Sequence, residues 1–454
     1  MAGGTWTAQN KVRPGIYINF KSRGTPAAAV GTRGTAAIPK ALSWGPMGKV
    51  SIIEAGQDTR PFTGSAVTEP GALFLREMFK GTNVTSAPKK VLLYRLPAEG
   101  AEQAAAVIES TDGTGGIKVT ALYPGVKGND IAVSITAGVD EPGKFTVSTM
   151  VDHLTADSQM VEKAEDLQPN DWVSFSGAGT LTPTAGVRLS GGADGTVQPA
   201  AYADALQALE LHSFDVLAYD GTDSTVRDAM ISFVKRLAEQ EGKYPQLVTS
   251  GAQGADSRFV INCETGVVLD DGAELAANEV VWWLAGAEAG AQYYQSLSSA
   301  AYPGAADVLV QQSNSQIEDG ILSGNIVLSY DQDLDQVQVE TDINTLVTYT
   351  QDIGKVFHKN TTMRVCTALG ASIYREFRQN YQSRVKNNAE GRGLFQGAVL
   401  AILKTMYDKD ALRERPTGGD VTVEPGDDSD AIVITVAIYI GDNVEKVYLT
   451  IVVS

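Results

Sequence analysis

Phe214-Asp215-Val216-Leu217-Ala218-Tyr219 and Gln246-Leu247-Val248-Thr249 are the two runs on which the fold turns. Each is short and mostly apolar and is bounded by polar or turn residues, the pattern of a strand buried on both faces. Between them, Asp223 or Ser224 offers a helix N-cap, and Val226, Met230, Phe233, Val234 and Leu237 mark one helical face. Strand, capped amphipathic helix and strand predict a largely parallel sheet flanked by helices. Outward from this unit the pattern repeats. Residues 202–211 read as a helix with Ala205, Leu206 and Leu209 apolar, and residues 280–289 as another. Toward the N-terminus, Val91-Leu92-Leu93-Tyr94-Arg95-Leu96 is a strand ended by Pro97, and Leu73, Leu75, Met78 and Phe79 fall at near-helical spacing.

A different texture separates the two α/β stretches. Residues 101–107 read as a brief helix. Short alternating runs come after it: Ile117–Thr120, Ile131–Ile135, Phe145–Val147 and Trp172–Phe175. Short strands broken by turns at this spacing predict a small β-sandwich or barrel. The chain is therefore divided into an arm (1–24), the first part of a central α/β domain (25–97), an inserted β domain (98–192), the second part of the central domain (193–345) and a C-terminal domain (346–454). Within the last, 346–415 is mainly helical. Ile432, Ile434, Val436, Ile438 and Ile440 alternate along one strand, and Val447, Leu449, Ile451 and Val453 along another.

Composition narrows the function. Fifty-four acidic residues against 36 basic ones give a net charge of −18, the wrong sign for a nucleic-acid binder. Two cysteines, Cys263 and Cys366, have neither zinc spacing nor the density of a disulfide framework. Residues 1–10 lack the basic and apolar regions of a signal peptide, and no apolar run approaches the roughly 20 residues needed to span a bilayer. These features predict a protein made and folded in the cytoplasm, with no membrane insertion and no nucleic-acid partner.

Chemistry is sparse. His153, His212 and His358 have no further histidine or cysteine at helical or strand spacing to make a metal-ligand pair. No nucleophile elbow, zinc-protease motif, P-loop or dinucleotide fingerprint is present. The carboxylates of Asp331, Asp333 and Asp335 could hold Ca²⁺ or Mg²⁺ but read as a solvated strand end, and the acidic loop around Asp428 as a flexible, repelling tip, with a cation site the alternative for each. No catalytic residue, cofactor or metal is expected.

Several segments resemble the contractile phage tail sheath family, in order along most of the chain. Val12-Arg13-Pro14-Gly15-Ile16-Tyr17-Ile18 resembles its opening segment. Gly31-Thr32-Arg33-Gly34 and Leu42-Ser43-Trp44-Gly45-Pro46 resemble its first strand-and-turn region. Ala121-Leu122-Tyr123-Pro124-Gly125 with Gly128-Asn129-Asp130-Ile131 is similar to an A-x-Y-P-G…G-N-x-I signature. The 189–195 linker and Trp283–Gly290, an A-G-x-x-A-G helix, are also similar to family segments. The resemblance implies a subtilisin-like α/β central domain with an inserted β-sandwich, an α+β C-terminal domain facing a tail tube, and extended N- and C-terminal strands. Gly221-Thr222-Asp223-Ser224 comes closest to the subtilase serine motif, but Asp223 stands where the serine belongs, so the shared fold gives no support for proteolysis.

The function implied by the resemblance is that of a structural subunit that polymerises around an inner tube and contracts to drive the tube through a target cell envelope. Its expected partners are further copies of itself in stacked hexameric rings, a tube protein, and baseplate and tail terminator proteins. The particle would be assembled in the bacterial host cytoplasm. Donated strands would tether subunits that slide past one another, and the candidates are Ile16, Tyr17, Ile18 and Phe20 at one end and Val447, Leu449, Ile451 and Val453 at the other. Between Lys355 and Arg415 there are twelve basic and five acidic residues, 12 − 5 = +7 within an acidic chain. If that segment is one helix, Arg364, Arg375, Arg378 and Lys386 fall within an arc of about 80°, a basic stripe suited to an acidic tube. The alternatives are another self-assembling phage or surface-layer protein, or an α/β hydrolase.

Overall fold

The computed structural model describes residues 33–110, 116–138 and 141–452, and the backbone of 2–4 and 15–17. Two compact units divide the chain, one holding Thr32–Thr367 with Asp442–Ser454, the other Met1–Gly31 with Ala368–Gly441.

The first unit is built on a seven-stranded sheet. Its strands run in the order Asn325–Ile326, Val260–Cys263, Gln246–Thr249, Val216–Tyr219, Thr35–Lys40, Lys90–Arg95 and Val50–Glu54. All neighbours are parallel except the last pair. Alternation along each strand sorts side chains onto two faces. Ala36, Ile38, Val91, Leu93, Val216, Ala218 and Val248 pack beneath the Leu73–Met78 and Ala277–Gly290 helices. Ala37, Leu92, Leu217, Tyr219 and Leu247 pack beneath Pro199–Glu210 and Ser224–Glu241. Asp223 caps the last helix as expected, accepting from the Thr225 and Val226 amides.

A sandwich is inserted between the Lys90–Arg95 strand and the Pro199–Glu210 helix. One sheet orders Leu154–Val161, Phe145–Val151, Ile131–Ala137 and Thr184–Arg188; the other orders Val173–Ala178, Gly116–Ala121 and Ala105–Glu109. Their inner faces share one core, with Val119, Ile131, Val133, Val147 and Val173 at its centre. The expected helix at 101–107 is corrected here. Its alanines favour a helix, but residues 105–109 pair with 116–120 as a strand, because sheet pairing overrides a weak local preference.

In the second unit the Ala389–Tyr407 helix packs Phe395, Val399, Leu403 and Met406 inward beside a two-stranded hairpin, Val421–Pro425 with Ile432–Val436. The expected strand at 444–453 takes no ladder partner over its described residues, 444–452. Among the described residues no helix is long and apolar enough to cross a membrane.

Candidate functional site

Three of the family-like motif segments meet where the sandwich joins the sheet. Trp44 is fully buried and enters the sandwich core, edge-on to Tyr123 at 5.3 Å and 5.1 Å from Trp172. Arg95, at the end of its sheet strand, donates to Leu42 O at 2.9 Å, Gly45 O at 2.7 Å and Pro124 O at 2.6 Å. Burial holds its guanidinium down at about 10, below the usual arginine value. Asp194 accepts from Ser43 Oγ and the Val126 amide, and Asn129 exchanges two hydrogen bonds with the backbone of Gly192. Gly125 has φ +134°, and a Cβ there would meet Ser43 O at 2.0 Å, so the position admits only glycine. The Ala-x-Tyr-Pro-Gly signature is thus a joint. Arg95 at its centre was missed in the sequence, because nothing in a strand-ending arginine reveals three carbonyls converging on it.

The Trp283–Gly290 motif has a similar explanation. A Cβ on Gly286 would lie 2.0 Å from Met78 O, and one on Gly290 1.9 Å from Ser86 O, so these glycines let the helix approach the 73–87 segment. Trp283 stacks on Tyr302 at 4.0 Å and donates to Gly81 O.

The predicted basic stripe does not form as one surface. Arg364 is fully buried, paired with Glu288 and Asp342, and it donates to Gln295 O at 2.7 Å. It was placed on the stripe by helical angle alone, and its two carboxylate partners come from distant parts of the chain. Asn360 joins the network, donating to Asp342 Oδ1 at 2.8 Å and Glu288 Oε1 at 3.2 Å. Arg33 adds Nη2 to Glu288 O at 3.2 Å. Burial alone would lower the Arg364 value, but Asp342 and Glu288 hold it above the ordinary one. Burial, reinforced by Asp342, pushes the Glu288 carboxyl up to about 8. Lys386 is corrected too. The Asn360–Glu376 helix widens into one turn, Phe377–Tyr381, and stops, leaving Lys386 in the following loop. Arg378 is exposed, donating to Gln382 Oε1 and lying over Tyr374, and Arg375 is half-buried.

The strand candidates differ in what surrounds them. Gly15–Tyr17, holding Ile16 and Tyr17, pairs in parallel with Ala2–Gly4; Ile18, Phe20 and Val453 lie outside the described residues. Val447, Leu449 and Ile451 are 75–81% exposed, and the apolar side chains next to them on the alternate positions, Tyr448 and Val452, are more exposed still. The acidic 331–335 run is a hairpin turn, with Asp331 Oδ1 accepting from the amides of Asp333 and Leu334. Among the described residues no cluster of metal-ligating side chains occurs. Asp223, at the subtilase-like position, is occupied as a helix cap.

These features define a multi-domain α/β structural protein with a β-sandwich domain. Known proteins match it throughout. The tail sheath protein Gp18 domain III N-terminal region matches residues 33–96, the phage tail sheath protein beta-sandwich domain 98–194, the phage tail sheath protein central domain 195–345 and the phage tail sheath C-terminal domain 352–454. The phage-like element PBSX protein XkdK of Bacillus subtilis (strain 168) is 34% identical over 99% of both chains. The sheath tail protein of Desulfitobacterium hafniense is 38% identical, with a TM-score of 0.84 over 96% of this chain and 99% of that one. The contracted helical sheath of the anti-feeding prophage shares the fold, at 13% identity and TM-score 0.58 over 97% of this chain and 98% of that one. The chain belongs to the phage tail sheath family. Its role is accordingly structural, that of a contractile sheath subunit rather than an enzyme.

Proposed function

We propose that this subunit polymerises by lending its terminal strands to neighbouring copies, forming stacked hexameric rings around a tail tube. The observation that carries the reading is the 444–452 segment. It has the alternation of a strand, exposes its apolar side chains and has no ladder partner among the described residues. A natural acceptor is the Val421–Pro425/Ile432–Val436 hairpin of another copy. A two-stranded sheet is marginal alone, and among the described residues no further strand pairs with it. Main-chain hydrogen bonds would supply affinity and alternate side chains the register. Ile16, Tyr17, Ile18 and Phe20 are the N-terminal counterpart.

Support for the remaining contacts is chemical. With Arg364 removed, the tube-facing basic surface reduces to Arg375, Arg378 and Lys386, on the last helical turns and the loop beyond. The seven-stranded, mostly parallel sheet agrees with a subtilisin-like description of the central domain, and the division at 97, 192 and 345 remains our reading of its parts. Baseplate and tail terminator proteins would close the two ends, with assembly in the host cytoplasm. The experiment is electron microscopy of the full chain and of a chain ending at Asn443. Wide ribbed tubes from the first and none from the second are expected. Identical tubes from both would remove the donated strand from the account.

A further inference from the structure

Among the described residues, the last anchored one of the C-terminal segment is Glu445. Its Oε1 accepts from Ser298 Oγ at 2.8 Å, and its Oε2 pairs with Lys359 Nζ. Lys359 and Glu445 retain 21% and 22% side-chain exposure. Beyond them, every apolar side chain from Val447 to Val452 is at least 75% exposed.

The partners of Glu445 are rooted in the buried charge network. Ser298 Oγ also accepts from the Asp342 amide at 3.0 Å, and the Asp342 carboxylate holds Arg364. Lys359 immediately precedes Asn360, which bridges Asp342 and Glu288. Arg33, just ahead of the Thr35–Lys40 strand, donates into the same place through Glu288 O and Ala291 O. The two layers differ in what opening them costs. Breaking the inner one leaves the Asp342 carboxylate charged and unpaired out of water, beside the Glu288 carboxyl. Breaking the outer one returns a carboxylate and an ammonium to solvent, where such pairs contribute little.

We propose that Glu445, Lys359 and Ser298 form a clasp that fixes where the C-terminal arm leaves the body and so sets its reach to a neighbouring copy of this chain. The proposal rests on the strand-donation reading. Closed, the free arm begins at Lys446. Open, residues 442–445 join it, because Gly441 is the next residue held, by its amide to Ala411 O. Four residues add at most about 14 Å of extended chain. A tether of fixed length keeps a lattice uniform, and one that can lengthen lets subunits rotate during repacking without withdrawing the donated strand.

The test compares sheaths assembled on tube protein from the unaltered full-length chain, Glu445→Lys, Lys359→Glu and the double reversal. Each single reversal opens the clasp but keeps the strand. Sheaths with a scattered axial repeat and faster spontaneous contraction are expected, the root equilibrium shifting by up to about five-fold per subunit. The double reversal should restore both properties. Single reversals matching the unaltered chain in repeat and contraction time would overturn the proposal. So would a double reversal that fails to recover while every variant keeps the unaltered melting temperature. If single reversals assemble nothing, recovery in the double reversal upholds the clasp and continued failure rejects it. A chain ending at Glu445 separates the two ideas. If it assembles normally, strand donation falls. If it fails while Glu445→Lys behaves as unaltered, donation stands and the clasp falls.

Discussion

The charge network around Arg364 and the arm after Glu445 are opposite solutions within one unit of the chain. In the first, two carboxylates, a guanidinium and a carboxamide are buried and matched almost atom for atom; Arg364 Nε alone lacks a partner. In the second, alternating apolar side chains stand in water with no ladder partner among the described residues. A residue pattern completed inside the chain makes a rigid body. One left incomplete needs another molecule. The difference teaches that a sliding assembly can concentrate permanence and exchange in separate segments, and substitutions in each segment can be chosen to collapse that separation.

The largest effect is expected at the network. Arg364→Ala leaves Glu288 and Asp342 without the guanidinium that pairs with both, and breaking a buried pair this way costs about 3–5 kcal/mol. Thermal unfolding of the unassembled chain should show a fall in melting temperature, with the variant collecting in the insoluble fraction. A melt unchanged from the unaltered chain would mean the network is not the rigid element. Next comes the sandwich joint. Arg95→Met keeps bulk but leaves the carbonyls of Leu42, Gly45 and Pro124 without their shared donor, for roughly 1–3 kcal/mol per group left unsatisfied. Limited proteolysis should then cut between sandwich and sheet, where the unaltered chain resists.

These two residues mark where the sequence is legible and where it is not. The sheet at 216–219 and 246–249 could be read because a strand buried on both faces is a continuous apolar run. Thr35–Lys40 could not. It is Thr, Ala, Ala, Ile, Pro and Lys, in which two alanines, a proline and a lysine dilute the strand preference of Thr35 and Ile38. Arg364 went the wrong way for a related reason. A helical wheel gives angles between residues but not which side meets the protein, and Glu288 lies 76 residues away. The arm's alternation is a local property and predicts a strand, but alternation does not say what the strand pairs with, and over 444–452 no ladder forms among the described residues. The joint was legible as a motif and opaque as a mechanism, since Gly125 is explained only by Ser43 beside it.

A smaller effect concerns pH. The Glu288 carboxyl, pushed by burial and Asp342 from 4.5 up to about 8, binds its proton more tightly folded than unfolded. Its contribution to stability is therefore fully present below 4.5 and is lost as pH rises to about 8. Glu288→Gln, which cannot titrate, should flatten the melting-temperature profile across that window. A profile parallel to the unaltered chain's would show that Glu288 is ionised throughout, with Arg364 prevailing over desolvation.

The smallest effect on the isolated chain is expected at the arm, and that smallness is itself informative. Among the described residues, ending the chain at Glu445 removes only exposed side chains and no ladder hydrogen bond, so its unfolding free energy should stay within about 0.5 kcal/mol of the full chain's. Moving the end back to Asn443 should cost slightly more, because the Glu445 contacts to Ser298 and Lys359 go with it. Stability and assembly should thus separate, with tube formation lost while the monomer melts almost unchanged. A residue that completes its own domain cannot show that behaviour, because removing it exposes core and lowers the melt. Loss of monomer stability on deleting 446–454 would place the segment inside the fold and reverse the contrast between the two regions.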